Sequence, residues 1–119
     1  MRKEELQYNI TKYIYQLIDD VMPEKGILGK IEKRTAKYWV DQNQWRLEDM
    51  LSVFTDRDGC IDGQHLVEYY KDALFENGEL RLSLSELTQN RFKGLIPDKV
   101  VLFKEDDLYR LVGINKQQF

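Results

Sequence analysis

The stretch from Trp45 to Phe75 constrains the fold most, because two segments of helical period flank a short loop crowded with Asp and Gly. In the first, Leu47, Met50, Leu51 and Phe54 recur at i, i+3, i+4 and i+7; in the second, Leu66, Tyr70, Ala73 and Leu74 recur at i, i+4, i+7 and i+8. Each segment is predicted to be a helix with one buried face. Between them Asp56, Asp58, Gly59 and Asp62 can turn the chain, cap the second helix or hold a cation. Asp62 directly precedes the second periodic segment, so its predicted role is to accept from the backbone N–H groups of a helix from Gly63 to Phe75. Asn77 and Gly78 suit the left-handed residue that ends such a helix.

Upstream, Leu6, Ile10, Tyr13, Ile14, Leu17 and Val21 predict a helix from Glu4 to Met22, stopped by Pro23. Tyr8, Tyr15, Ile18 and Met22 form a second apolar strip on it. The width suits a central helix, with an oligomer contact as the alternative. Glu24 to Gly29 reads as a connector. Lys30 to Val40 reads as a helix with Ile31, Tyr38 and Trp39 inside and Lys30, Lys33, Arg34 and Lys37 outside, although Thr35 to Val40 also suits a short strand. A third helix starts at Asp41 or Asn43, the spacing from Asp41 to Gln44 suiting a capping box. Trp45, one turn on, is expected to close the end of the core.

Downstream, Leu80, Leu82 and Leu84 alternate with polar residues and predict a short strand. Ser83 or Ser85 can cap a brief helix through Arg91. Val100 to Phe103 favours a second strand, and Leu108 to Val112 reads as its hairpin partner or a last helix; a helix from near Glu105 is chosen, since KEDD encodes a tight hairpin poorly. The tail after Gly113 is expected to fray.

The chain of 119 residues has 42% hydrophobic, 33% charged and 12% aromatic side chains, the balance of one globular core and not of a disordered chain. A single cysteine, Cys60, offers no internal disulfide and makes the cytoplasm the default compartment. No apolar run approaches a signal-peptide core or a membrane span, so neither secretion nor membrane insertion is expected. Residues 1–40, 41–79 and 80–119 carry net charges of +2, −7 and +2. An acidic middle is a poor surface for phosphate backbones, so nucleic-acid binding is disfavoured, with Lys30 to Lys37 the one basic run that could serve it.

The sequence DRDGCID resembles the interior of a calcium-binding EF-hand loop. With Gly59 at the glycine place, Asp56 and Asp58 fall at the third and fifth positions, Ile61 at the eighth and Asp62 at the ninth. The first and twelfth positions would be Phe54 and His65, where the family has an acidic ligand and a bidentate Glu. The likeness spans about nine residues, and the family's function is not carried over. The structural reading is an Asx-type turn at Asp56 to Gly59, a short extended piece at Cys60 and Ile61, and a cap at Asp62. That piece can pair with Gly78 to Leu80 as a small ribbon, with Ile61 and Leu80 pointing into the core. Cys60 and His65 are the residue types of a nucleophile and base, but a pair needs hydrogen-bond reach and an orienting group. One His and one Cys make a poor zinc set, and nucleotide and hydrolase motifs are absent.

The expected fold is mainly α: a single compact helical domain over residues 1–119, with about five helices and one or two short β strands. Its core is expected to hold Ile10, Ile14, Leu17, Trp45, Leu51, Phe54, Leu66, Tyr70 and Leu74. The expected function is a non-enzymatic protein-interaction or structural module whose partner is a protein, its own homodimer included, without catalytic residues, cofactor or metal. The alternative is a metal- or small-ligand-binding domain that uses the loop from Asp56 to Asp62.

Overall fold

The computed structural model of the protein describes residues 1–22, 26–69, 88–89, 91 and 109–113. The chain is mainly α-helical. Helix α1 spans Lys3–Val21, α2 Gly26–Gln42 and α3 Gln44–Ser52; α4 occupies residues 63–69, and residues 109–111 are helical. Among the described residues the only β pairings are two isolated antiparallel bridges, Arg2 with Cys60 and Thr55 with Ile61. The predicted strands at 79–84 and 100–103 lie outside the described residues, as do Tyr70 and Leu74, the end of the helix at 77–78 and the tail after Gly113.

Helix α1 buries Leu6, Ile10, Ile14 and Ile18, and Met22 continues the row just past its end. Each step of four residues advances about 40° around a helix, so this row winds about 160° and offers apolar surface on more than one side. Ile18 and Met22 therefore belong to the core and not to a separate strip, while Tyr8 is exposed. Tyr13, Tyr15, Leu17 and Val21 pack against the row half-buried. A central helix needs this width, because α1 packs on both α2 and α3. Burying each such aliphatic side chain contributes about 1.5–3 kcal/mol before the entropy cost of ordering it.

Helix α2 differs most from expectation. It begins at Gly26, whose φ of +65° suits glycine, so most of the predicted connector is helical. Its buried residues are Gly29, Lys33, Ala36 and Val40, which places Ile31 and Tyr38 outside and Lys33 inside, against expectation for those three, while Lys30 and Arg34 are exposed as expected. Two contacts explain the rotation. Lys33 Nζ donates to the carbonyl oxygen of Asp19 at 3.1 Å, satisfying one of the carbonyls that a helix leaves unpaired in its last turn. Lys37 Nζ lies 2.9 Å from Asp19 Oδ1. Both lysines thus bring positive charge to the negative end of the α1 dipole, and the Lys33 stem runs through the interface that Gly29 and Ala36 leave narrow.

Asn43 is the one-residue joint between α2 and α3. It is buried, its backbone N–H donates to Trp39 O and its side-chain Nδ2 donates to the same carbonyl at 2.8 Å. Asn43 thereby closes α2 and opens α3 through Arg46 N to Asn43 O, so Asp41 lies inside α2 and the predicted capping box does not form. Asp41 instead accepts the Tyr15 hydroxyl. Burial, then the hydrogen bond and charge of Asp41, push the Tyr15 phenol up to about 12. Between α1 and α3, Gln7 Nε2 donates to Gln44 Oε1 at 2.9 Å and Gln44 Nε2 to Thr11 Oγ1 at 3.1 Å.

Trp45 does not close the core. It is 54% exposed, with the Arg46 guanidinium 4.7 Å from its ring centre. Leu47 and Leu51 take the inner face of α3, and Trp45 stands two residues, about 200°, from Leu47. Ile10, Ile14, Leu51 and Leu66 are buried as expected, whereas Leu17 and Phe54 are half-buried at its edge. Tyr109, Leu111 and Val112 join the same core, and Gly113, with φ +72°, donates to Arg110 O. Thr88, Gln89 and Arg91 sit in a turn closed by Arg91 N to Thr88 O, so no helix runs through to Arg91.

Replacing Leu51 with Ala is expected to cost about 2–5 kcal/mol. Trp45→Ala should cost less than about 1 kcal/mol, as surface substitutions do. Urea denaturation of the two variants checks this ranking, and equal losses would contradict the orientation of α3.

Candidate functional site

The aspartate loop is built from backbone hydrogen bonds. Asp56 Oδ1 accepts from Asp58 N and Cys60 N, both at 2.9 Å, while Asp56 N donates to Cys60 O at 2.8 Å. Gly59 completes the turn at φ +80°, a conformation that L side chains adopt at a cost. Asp62 Oδ1 accepts from Gln64 N at 3.1 Å and lies 3.4 Å from His65 N, capping α4. The expected Asx-type turn, extended piece and cap are therefore all present.

This loop also serves a second helix. Arg2, the residue before α1, makes no side-chain cap. Gly59 O instead accepts from Lys3 N at 3.0 Å, and Ile61 N donates to Met1 O at 2.7 Å. The extended piece at Cys60 and Ile61 thus lies between Met1–Arg2 and Thr55, with Ile61 in the core; Gly78 to Leu80, its predicted partner, lies outside the described residues. The His65 ring packs edge-on to Phe54 at 5.5 Å between centres, and Cys60 is half-buried. Among the described residues no three His, Cys, Asp or Glu side chains gather as a metal ion would require.

The outer face of α2 has a different character. Ile27 is 78% exposed, Leu28 73%, Ile31 50% and Tyr38 53%. At about 100° per residue, Ile27, Ile31 and Tyr38 fall within about 40° of one another, and Leu28 widens the strip to about 100°. Lys30 and Arg34, both exposed, border it on one edge. The buried Gly29, Lys33, Ala36 and Val40 lie on the opposite side of the helix. Grouped exposed apolar side chains of this kind mark an interaction surface more often than scattered ones do. The sequence alone reads Ile27 and Leu28 as connector and Ile31 and Tyr38 as the inner side of the helix. The available signal was that α2 has two candidate inner faces, one of large residues and one of small residues seven apart, Gly29 and Ala36.

Comparison with protein-family models, curated proteins and solved structures finds no match. Among the described residues no helix is long and apolar enough to cross a membrane.

Because Asp56 holds two backbone N–H groups, Asp56→Ala should lower stability by about 1–2 kcal/mol with or without Ca2+. Asp56→Asn, which keeps an acceptor oxygen, should recover most of that loss. Millimolar Ca2+ should shift the melting temperature of the unaltered protein little, since stabilisation follows how far a ligand exceeds its dissociation constant. A large Ca2+-specific rise that both substitutions abolish would reassign the loop to a cation.

Proposed function

We propose that this chain is a non-enzymatic interaction module that binds a protein through the outer face of α2. The observation that carries the reading is the exposure of Ile27, Leu28, Ile31 and Tyr38 on one three-turn strip, opposite a face already used for packing. A helix that needs only its inner face for the fold gains nothing within the described structure from large apolar side chains outside. In the loop, Asp56 holds the turn itself, Gly59 O accepts from the first turn of α1 and Asp62 caps α4, which makes it scaffolding for the surface.

Charge supports the same reading. Asp41, Glu48, Asp49, Asp56, Asp58, Asp62 and Glu68 are all exposed, whereas Lys30 and Arg34 stand beside the apolar strip. Separated signs orient an approaching protein, over a range that salt limits to about 10 Å.

Affinity capture from the native cell with the unaltered chain and with Ile31→Glu side by side, together with solution mass across a dilution series, tests this. A protein partner, or self-association, that is present with the unaltered chain and lost with Ile31→Glu is the expected result. Identical capture profiles with a monomer at every concentration would contradict it.

A further inference from the structure

The strip on α2 has one basic edge, and that edge is without an ion pair among the described residues. Lys33 and Lys37 are committed to Asp19, but among the described residues neither Lys30 nor Arg34 takes part in an ion pair. They are four residues apart on the same helix, where like charges repel. An anionic group lying between them relieves that repulsion and gains two contacts.

Resting on the interaction reading above, we propose that the partner is an amphipathic helix of another protein, carrying an apolar row at i, i+3 or i+4, and i+7 and acidic residues along the edge that meets Lys30 and Arg34. Ile27 to Tyr38 spans about 16 Å, the length over which such a row presents three or four anchors. A second copy of this chain fits the strip poorly. In an antiparallel two-fold pairing of α2 with itself, Lys30 and Arg34, midway along their edge, face the same residues of the other copy and like charges oppose the pairing, while a parallel pairing offers the two cations only the half-buried Glu32. A broad anionic membrane surface fits less well too. Glu32 borders the opposite edge and Asp41 lies exposed near the end of α2. A wide surface meets both signs, while a helix about 10 Å across meets the apolar strip and its basic edge alone.

The probe is a displayed library of helix-forming peptides with a constant apolar row and randomised flanking residues, selected on the full chain. Selected peptides are expected to carry Glu or Asp on one flank. Their affinity should fall about tenfold or more with Ile31→Glu, and similarly with the pair Lys30→Glu and Arg34→Glu. A peptide with its acidic flank changed to Lys should regain binding to that pair. Peptides without acidic bias, or binding that ignores Ile31→Glu, would overturn the proposed partner while leaving a protein-binding module with another site. Failure to select any peptide, or binding of phosphatidylserine vesicles in place of peptides, would also overturn it. Self-association that Ile31→Glu abolishes would assign the strip to a second copy, sparing the interaction reading but not this partner. Thermal melting guards the variants: Ile31→Glu should melt with the unaltered protein, and a large loss of stability would show that the strip is covered within the chain, overturning both readings.

Discussion

The contacts at Asp19 decide which way α2 faces. Its carbonyl oxygen takes the ammonium of Lys33 and its carboxylate takes that of Lys37. Those two lysines are four residues apart, so both reach the end of α1 only when one face of α2 is turned inward. Gly29, Ala36 and Val40 share that face and let the helices approach closely. The exposure of Ile27, Leu28, Ile31 and Tyr38 is then a geometric consequence. A charged group has displaced larger apolar residues from the interface because it closes an open helix end, a role no hydrocarbon side chain can fill.

A similar economy operates at the other end of α1. One loop supplies Gly59 O to the first turn of α1 and Asp62 Oδ1 to the first turn of α4, while Asp56 holds the loop in shape. Two of the acidic residues that suggest a cation site, Asp56 and Asp62, thus accept from backbone N–H groups, those of the loop itself and those of the first turn of α4. On α2, by contrast, Ile27, Leu28 and Ile31 are exposed beside Lys30 and Arg34, which take part in no ion pair among the described residues, and the exposed Tyr38 meets the edge of the Trp39 ring.

Helices α1, α3 and α4 were legible because their apolar spacing was unambiguous, and Asp62 was legible because a cap has a defined place relative to the helix it starts. The Asp56 turn was likewise readable from Asp-x-Asp-Gly. The orientation of α2 was not, because both faces carry apolar residues and the choice rests on a lysine reaching a carbonyl of another helix. Trp45 misled for a related reason: size suggested burial, while its angle from Leu47 and Leu51 placed it outside. The strip on α2 is hidden from sequence for the same reason, since periodicity alone turns Ile31 and Tyr38 to the inner side of the helix.

The rotation of α2 creates the candidate interface. Thiol reactivity tests it most directly, using Ile31→Cys and Ala36→Cys separately in a Cys60→Ser background. With α2 turned this way, the cysteine at position 31 should react at nearly the rate of an unfolded chain, while that at position 36 should be protected until the protein is denatured. Equal rates, or a protected position 31 with a reactive position 36, would contradict it.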